Sequence, residues 1–353
     1  MDSPTERRRF LIDICHPAHV HFFRHPLEIL QERGHEVRVT SRDKDVTLAL
    51  LDQLAWTHEP LSVMGDNSRL GMLTELTQRN AALYRRVRQF RPHAMAAVGG
   101  IFIAQVGFLT RTPSLVFYDT ENARLQNLLT YPFASRVIAP RCYGAWLPRG
   151  ALRYPGYHEL SYLHPARFTA DREIAIANGI DRERDTFLIR LVAWQANHDV
   201  GERGWTVDLL DRVVHYLAPR GKVIISSEAL LPEHLQPLAY RGDPLQLHHV
   251  LAHSRLHLGE SATMVSEAAV LGIPAIYAAT TGRGYTTEQQ QLYRLVENIH
   301  TPGAEPIISA IEDILAVPVE KWAQRRRRLL ADTIDVAAYT ANLIERCGRT
   351  APL

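Results

Sequence analysis

The chain has 353 residues, of which 46% are hydrophobic and 22% charged, and its formal net charge is +2. This length exceeds what one hydrophobic core usually fills, and the composition argues against extensive disorder. The near balance of charge gives no reason to expect a nucleic-acid partner. Three widely separated cysteines, Cys15, Cys142 and Cys347, argue against a disulfide framework, so a reducing, cytoplasmic location is expected.

The N-terminus predicts neither a secretory signal nor a membrane span. Its basic residues are followed by only a short apolar run, residues 10–12, before Asp13. A membrane-bound substrate would therefore be met by peripheral contact at the inner face of the membrane. The arginine runs at 7–9 and 325–328 could contribute there, although the interpretation as solvated faces is favoured.

Strand and helix patterns alternate through the first part of the chain. The apolar run 9–14 predicts a strand, the helical spacing over 20–33 ends at Gly34, and the alternation over 35–40 predicts a second strand. These three elements make a βαβ unit, although Pro26 predicts a kink or a later start of the helix. Further helices are predicted at 45–54, 73–90 and 101–109, and further strands at 94–98, 114–118 and 137–139.

A second α/β series follows residues 153–165, a segment rich in Gly, Pro, Tyr and His that we interpret as a linker. Strands are predicted at 187–193, 222–226, 255–258 and 274–278, and helices at 205–217, 244–252, 263–271, 288–297, 307–315 and 319–330. The expected organisation is two doubly wound Rossmann-like lobes, residues 1–152 and 166–335, with a C-terminal helix and tail, 336–353, packing back on the first. Ligands of such sheets bind at the carboxyl ends of the strands, which predicts a site in a cleft between the lobes.

The segment from Leu258 to Pro274 carries the most informative motif. It predicts a strand, a turn of small residues, and a helix that ends at Gly272. Backbone N–H groups at a helix N-terminus attract anions, and the helix dipole adds to this attraction. The candidate anion-binding residues of this turn are Gly259, Ser261, Ala262, Thr263 and Met264.

Glu267 lies about one turn into the same helix, where its carboxylate could accept hydrogen bonds from a ribose diol. The structural alternative is that Ser261 or Thr263 caps the helix. The position after a strand of the second lobe favours the binding site. Glu260 would repel a diphosphate unless its side chain points away or binds the acceptor.

Other side chains of the second lobe could reach the same ligand. Arg283, in a polar loop, could neutralise diphosphate charge or be an exposed loop arginine. Arg190 and His198 could reach phosphate or sugar, and Trp194 could stack on the ligand or pack. For His248 a surface role is expected.

Histidines mark the turn between the first strand and the first helix. An imidazole titrates near neutrality, so His19 or His16 is a candidate general base toward an acceptor hydroxyl, whereas His21 is expected to face the helix. The spacing also suggests a metal, but no C-x-x-C or H-E-x-x-H motif accompanies it, and no metal is expected. A hydrogen-bonded structural role is the alternative for each histidine.

Asp119 and Glu121 follow the predicted strand 114–118 and are candidate acid–base groups. The alternative is that Asp119 or Thr120 caps a helix starting at Ala123. We expect one acid to cap and the other to function.

The second-lobe motif resembles the diphosphate and ribose site of the glycosyltransferase-B superfamily, which includes MurG-like transferases and UDP-N-acetylglucosamine 2-epimerases. The matching residues are Ser261, Thr263, Glu267 and the Leu-Gly-Ile-Pro segment 271–274. The run from Asp13 (Asp-Ile-x-His-Pro-x-His-Val-His-Phe-Phe), followed by 34–37, 40–43, 99–100 and 119–123, resembles the DUF354 family. That resemblance extends over nearly the whole chain.

The resemblance implies a glycosyltransferase-B (GT-B) fold and a metal-independent glycosyltransferase of cell-surface polysaccharide or glycolipid synthesis. The first lobe would face a saccharide or lipid-linked acceptor, and the second would hold the nucleotide-sugar donor, expected to be a UDP-sugar. No other cofactor is expected. The alternatives are a 2-epimerase, in which two first-lobe groups exchange the C2 proton, and a non-catalytic nucleotide-sugar-binding protein.

Overall fold

The computed structural model describes residues 6–43, 47–54, 56–63, 69–192 and 204–349. The chain divides into two compact units: unit 1 comprises residues 1–162 and 334–353, and unit 2 comprises residues 163–333. Among the described helices, none combines the length and apolar character that crossing a bilayer requires.

Helices and strands alternate along the chain. The first elements of unit 1 are β1 (Arg9–Ile14), α1 (Pro17–Glu32), β2 (Glu36–Asp43), α2 (Thr47–Gln53), β3 (His58–Val63), α3 (Arg69–Phe90) and β4 (Ala94–Val98). They are followed by α4 (Ile101–Thr110), β5 (Ser114–Phe117), α5 (Arg124–Thr130), β6 (Arg136–Pro140) and β7 (Leu152–Tyr154). Unit 2 contains α6 (Arg172–Ala177), β8 (Thr186–Leu191), α7 (Val207–Leu217), β9 (Lys222–Ser227), α8 (Leu247–Ala252), β10 (Leu256–Gly259), α9 (Ala262–Leu271), β11 (Ala275–Ala278), α10 (Gly284–Gln291), β12 (Val296–Ile299), α11 (Ala304–Leu315) and α12 (Val319–Ala331). The chain returns to unit 1 in α13 (Val336–Cys347).

The sheet of unit 1 has the strand order β3-β2-β1-β4-β5-β6-β7, and all neighbouring strands are parallel. Ile12 of β1 is in register with Val39 on one side and Ala96 on the other. The apolar side chains of β1, β4 and β5 are almost completely buried, as expected for a parallel sheet covered on both faces. The loops that follow these strands therefore share one edge, where a site can form.

Pro26 lies inside α1, which already begins at Pro17, so the expected later start of the helix is wrong. A proline cannot donate the backbone hydrogen bond to the carbonyl four residues earlier. In this helix that carbonyl belongs to Phe22, and the Ser161 hydroxyl donates to it at 2.5 Å. A side chain distant in sequence thus replaces the missing donor, and α1 stays continuous.

The sheet of unit 2 has the order β12-β11-β10-β8-β9 and is likewise parallel. Leu258 of the central β10 is in register with Ile189 and Ile276. α9 follows β10 directly and is buried on nearly all sides, and Gly272 ends it with a φ of +84°. This left-handed conformation suits glycine.

The last helix, α13, packs against α1 in unit 1. Its Glu345 carboxylate pairs with the Arg33 guanidinium at 2.8 Å and lies 4.0 Å from the buried His35 ring. The Arg8 guanidinium also donates to the Glu345 carbonyl at 3.3 Å. The end of the chain is therefore held to the first unit by charge as well as by packing.

Several elements differ from the sequence prediction. The helix predicted at 288–297 is placed too late in the chain: α10 begins at Gly284 and ends at Gln291, and Arg294 adopts a φ of +53° before β12 begins. No clear sequence pattern predicted the strands β3 and β7 or the helix α6. The segment 153–165 contains the end of β7 and a 3-10 turn at 158–161, and both belong to unit 1.

Candidate functional site

The turn from β1 into α1 is built around His16. It occupies the N-cap position with φ −154° and ψ 150°, and its Nδ1 accepts the Ala18 N–H at 3.2 Å, while Pro17 starts the helix. A side chain that caps a helix satisfies a backbone donor that would otherwise lack an intrahelical partner. His16 thus has a structural role, and a catalytic role would be additional.

His19 lies one turn along α1, with its ring centroid 5.7 Å from that of His16. Its Nδ1 accepts the Cys15 N–H at 3.4 Å, a long and therefore weak hydrogen bond. In this arrangement a neutral His19 ring carries its proton on Nε2. His19 thus presents an N–H donor in this state, and it becomes a base only when Nδ1 leaves Cys15.

Beneath this turn lies a buried ion pair that had no recognisable sequence signal. The Arg79 guanidinium of α3 donates to Asp13 Oδ1 at 2.6 Å and to the Ser41 carbonyl at 3.0 Å, and the Thr40 hydroxyl donates to the same Asp13 oxygen at 2.7 Å. Arg79 and Asp13 are both fully buried. Burial, followed by the charge of Asp13, raises the pKa of the Cys15 thiol to about 12, so this cysteine is not a nucleophile at neutral pH.

Asp119, just after β5, is paired with a residue that the sequence analysis did not single out. The His158 Nδ1 lies 3.2 Å from Asp119 Oδ2, and the Thr120 hydroxyl donates to Oδ1 at 3.0 Å. Burial alone would raise the pKa of Asp119, but the charge and hydrogen bond of His158, the Thr120 hydrogen bond and the charge of His19 together lower it well below its usual range. Asp119 is therefore ionised at neutral pH.

The capping interpretation of this loop is wrong. The N-cap of α5 is Ala123, which makes no side-chain capping hydrogen bond, so neither Asp119 nor Thr120 caps it. Glu121 accepts the Gly144 N–H at 3.4 Å, which links the loop after β5 to the loop after β6. Both acids thus remain at the carboxyl edge of the sheet, as candidates for acid–base chemistry.

In unit 2, Gly259 ends β10 where two strands approach closely. It has a φ of +149°, and a Cβ atom added there would lie 2.0 Å from the Arg190 carbonyl oxygen. Only glycine fits such a contact. Packing within the sheet therefore explains Gly259, which was predicted to bind the nucleotide.

Glu260 turns its carboxylate into the unit. It is 4% exposed, and its two oxygens accept the Val192 N–H at 3.1 Å and the Trp205 N–H at 2.5 Å. Trp205 in turn donates from Nε1 to the Ala278 carbonyl at 2.9 Å. The Glu260 carboxylate thus joins the segments that follow β8 and β10, and the Trp205 indole extends the connection to the last residue of β11.

Ser261 caps α9, because its hydroxyl accepts the Met264 N–H at 3.3 Å. Val265 donates to the Ser261 carbonyl at 3.0 Å and begins the helical ladder. The N–H groups of Ala262 and Thr263 therefore lie outside the helix's own hydrogen bonds. Ser261 and Thr263 are partly exposed, whereas Ala262 and Met264 are buried. This helix end retains the donors that an anion requires.

Glu267 is buried and pairs with His248, whose Nε2 lies 3.1 Å from Glu267 Oε1. The expected surface role of His248 is therefore wrong. Nearby, the fully buried His257 places Nδ1 3.0 Å from the Leu188 carbonyl. Burial lowers the pKa of His257 to about 4 against the opposing charge of Glu267, so His257 is neutral at pH 7. Glu267 is thus oriented by an imidazole rather than pointing freely into solvent.

Arg190 and Arg283 differ in the partners that their side chains contact. Arg190 donates to the Ser226 hydroxyl at 2.7 Å and to the Glu228 carboxylate at 2.5 Å, so its charge is already balanced at the sheet edge. Arg283 is partly exposed at the N-cap position of α10 and donates to the Gly282 carbonyl at 3.0 Å. Phosphate contacts by either arginine stay predictions. Trp194 and His198 lie outside the described residues.

The part of the chain that the structure describes contains no group of three or more His, Cys, Asp or Glu side chains arranged to hold a metal ion. In the β1–α1 turn, His16 and His19 each accept a backbone N–H.

The fold is shared with solved structures of one class, which confirms the GT-B prediction. A UDP-GlcNAc 2-epimerase from Neisseria meningitidis, bound to UDP-GlcNAc, matches with a TM-score of 0.66 and 12% identity over 96% of this chain and 99% of that one. The spinosyn rhamnosyltransferase SpnG complexed with thymidine diphosphate matches with a TM-score of 0.64 and 14% identity over 95% and 99% of the two chains. MurG of Acinetobacter baumannii matches with a TM-score of 0.61 and 13% identity over 96% and 99%. The chain is therefore an α/β protein of the GT-B type, and its described residues form sheets of seven and five strands.

Within that class, the chain belongs to the family described as "Protein of unknown function (DUF354)", which it matches over residues 9–294. It is also 24% identical over 328 residues to an uncharacterized protein of Methanocaldococcus jannaschii, covering 86% of this chain and 91% of that protein. The resemblance stated from the motifs of the β1–α1 turn and the loop after β5 is thereby confirmed.

Proposed function

We propose that this protein is a nucleotide-sugar-dependent glycosyltransferase: unit 2 binds the nucleotide diphosphate, and unit 1 supplies the acid–base groups. The observation that carries the proposal is the β10–α9 turn. There a capped helix keeps the N–H groups of Ala262 and Thr263 outside its own ladder, and the buried Glu267 follows about one turn later. The similar structures also support nucleotide-diphosphate binding, since one is described with UDP-GlcNAc and another with thymidine diphosphate.

The helix end suits a diphosphate for electrostatic reasons. The N–H groups and the positive end of the helix dipole attract negative charge. A departing nucleotide diphosphate carries more negative charge than a diphosphate still bonded to the sugar, so the helix end stabilises the leaving group more strongly. Two backbone N–H groups hold the Glu260 carboxylate within the unit, and their dipoles partly offset its negative charge. Arg283 is the cation that we assign to the same task, so the proposed reaction requires no metal.

Glu267 is the group that we assign to the ribose. A carboxylate accepts hydrogen bonds from both hydroxyls of a ribose diol, and its pairing with His248 at 3.1 Å restricts its rotamers. The expected base is uracil, from the family resemblance. The sugar is not specified by these contacts.

The chemical step exchanges one glycosidic bond for another. An acceptor hydroxyl oxygen forms a bond to the anomeric carbon, the bond between that carbon and the phosphate oxygen breaks, and the nucleotide diphosphate leaves with the electron pair. The hydroxyl proton passes to His19, and the ionised Asp119 attracts the positive charge that His19 then carries. Accepting it requires Nδ1 to leave its 3.4 Å bond with the Cys15 N–H, or the ring to change tautomer.

The test is a donor and acceptor panel. The full chain is incubated with UDP-, TDP- and GDP-sugars and with saccharide and lipid-linked acceptors, and both products are measured, with and without chelator. We expect acceptor-dependent release of nucleotide diphosphate that chelator leaves unchanged. Glu267→Gln should raise the donor KM at least tenfold, whereas Glu297→Gln, an exposed carboxylate of β12, should not. Strict metal dependence, or equal kinetics of the two variants, contradicts the proposal.

A 2-epimerase is the second candidate, because Asp119, which is ionised, and Glu121 lie on one loop of unit 1, and an ionised carboxylate can remove a C–H proton. Incubation of UDP-GlcNAc in deuterated water without acceptor separates the two reactions. Deuterium at C2 selects the epimerase, and its absence is the result expected for a transferase. Tight binding without turnover, insensitive to His19→Ala and Glu121→Gln, would instead identify a non-catalytic binding protein.

A further inference from the structure

Among the described residues of unit 1, the most exposed large apolar side chains lie in α4, α5 and the loop after β6. Phe108 and Leu109 are 62% and 68% exposed, Leu125 and Leu128 are 67% and 69% exposed, and Trp146 is 71% exposed. Isolated exposed apolar residues are ordinary on protein surfaces, but clusters mark interaction sites. We call these five residues, together with Phe133 beside them, the α4–α5 apolar surface: Phe108, Leu109, Leu125, Leu128, Phe133 and Trp146.

Contacts between α4 and the α5 region make the first part of this surface continuous. The Gln105 side chain of α4 donates to the Leu129 carbonyl at 3.1 Å, which ties the two helices together. Phe108 lies one turn beyond Gln105 on the same side of α4. Its ring centroid is 5.5 Å from that of Phe133, which follows α5. The end of α4 therefore joins the end of α5 through aromatic contact.

The second part continues from α5 to the loop after β6. Leu125 and Leu128 are three residues apart and therefore share one face of α5. The Tyr131 ring, at the end of this helix, lies 5.6 Å from the Trp146 ring. One exposed face thus runs from α4 across α5 to Trp146, all within unit 1.

Charge identifies the partner that this surface fits. Arg111, Arg124 and Arg149 are exposed at the ends of α4, α5 and the loop that carries Trp146. Between residues 101 and 153 the acidic residues are Asp119 and Glu121. Both are partly buried and engaged, Asp119 with His158 and Glu121 with Gly144. The segment therefore presents apolar and basic groups together, without an exposed acid.

We propose that the α4–α5 apolar surface docks on a membrane that contains anionic lipids. Leucine and phenylalanine side chains would enter the boundary between headgroups and acyl chains, Trp146 would lie at the interface, and the arginines would contact lipid phosphates. This inference rests on the surface alone, so it stands or fails independently of the proposed glycosyl transfer.

The test is cosedimentation of the full chain with sucrose-loaded vesicles of phosphatidylcholine alone, or with about 30% phosphatidylglycerol, at two salt concentrations. We expect binding to the anionic vesicles that weakens with salt. The variant Phe108→Ser/Leu125→Ser/Leu128→Ser should lower the partition coefficient at least tenfold, because three exposed apolar side chains are lost. Leu230→Ser, which removes a 91% exposed leucine from unit 2, is the matched control and should bind like the wild type.

A second variant tests the contribution of the arginines to membrane binding separately from that of the apolar side chains. Arg111→Gln/Arg124→Gln should reduce binding to anionic vesicles about fivefold for each arginine and flatten the salt dependence. Three results would overturn the proposal: wild-type protein that stays in the supernatant, a triple variant that sediments like the wild type, or equal binding to neutral and anionic vesicles. A wild-type dimer that becomes monomeric in the triple variant by light scattering would also overturn it, because the surface would then join two copies of this chain.

Discussion

Replacing Ser261 by aspartate separates the capping of α9 from the binding of an anion. Ser261 satisfies the Met264 N–H at 3.3 Å, and aspartate is an equally good N-cap. The chain already uses one in this role, since Asp171 accepts the Ile174 N–H at 3.0 Å at the start of α6. Ser261→Asp should therefore fold as stably as the wild type, whereas Ser261→Ala should lose about 1 kcal/mol of unfolding free energy.

Ser261→Asp should, in contrast, strongly weaken the binding of the nucleotide. For the estimate we take a separation of about 6 Å between the new carboxylate and a diphosphate held by the N–H groups of Ala262 and Thr263. Two unit charges at that distance repel by roughly 2–3 kcal/mol at an effective dielectric constant of about 20. The Kd for UDP should therefore rise about a hundredfold.

Titration calorimetry with UDP, paired with urea unfolding, measures both quantities. Gly303→Asp is the control, because Gly303 is the N-cap of α11 and makes no side-chain capping bond, so the same charge is added to another helix end of unit 2. Its Kd should rise far less than that of Ser261→Asp, because α11 follows β12, two strands or about 10 Å from β10 in the sheet, and screening weakens the repulsion at that distance. If Ser261→Asp binds UDP as tightly as the wild type, the diphosphate is not at the N-terminus of α9.

Three further predictions concern stability. Arg79→Met should cost about 3–5 kcal/mol by leaving the buried Asp13 carboxylate without its counter-charge, and Arg79→Met/Asp13→Asn should cost less than the two single changes together; urea unfolding of the four proteins checks this. Gly259→Ala should lower the unfolding free energy by more than about 3 kcal/mol, because its Cβ would lie 2.0 Å from the Arg190 carbonyl oxygen, whereas Gly282→Ala, whose Cβ meets His300 at 3.5 Å, should be nearly neutral in the same assay. The pKa of Asp119 is lower in the folded protein than in the unfolded chain, so its ionisation stabilises the fold above the unfolded pKa and this contribution disappears as pH falls. The stability difference between wild type and Asp119→Asn should therefore shrink between about pH 6 and about pH 3, and a difference that stays constant over that range would refute the assigned pKa direction.

Periodicity located most of the sheet strands because parallel strands are apolar on both faces. The runs 9–14 and 94–98 coincide with β1 and β4. Where the local pattern was ambiguous, prediction failed. The residues before β12 have apolar spacing compatible with a helix, and the left-handed Arg294 that ends the helical region carries no sequence signal.

The continuity of α1 shows why a local rule can fail. Pro26 removes one backbone donor, and nothing near it in sequence replaces that donor. The replacement comes from the Ser161 hydroxyl, which lies 139 residues from Phe22. Such a compensation depends on tertiary contacts and is invisible to a window of neighbouring residues.

The candidate site likewise combines features that local sequence predicts with contacts that only the fold determines. The capped helix end at Ser261 and the position of Glu267 one turn later follow from local sequence, and both could be predicted. The partners of these groups could not, because His248 reaches Glu267 and His158 reaches Asp119 only through the fold. The inward turn of Glu260 is likewise set by N–H groups that flank other elements.

The most direct measurement is a crystal structure of the full chain with UDP. We predict that the diphosphate accepts hydrogen bonds from the N–H groups of Ala262 and Thr263 and that the ribose hydroxyls lie on Glu267. UDP bound elsewhere, or a Glu267 carboxylate that keeps only His248 while the nucleotide is bound, would contradict the assignment of unit 2 as the nucleotide-binding unit.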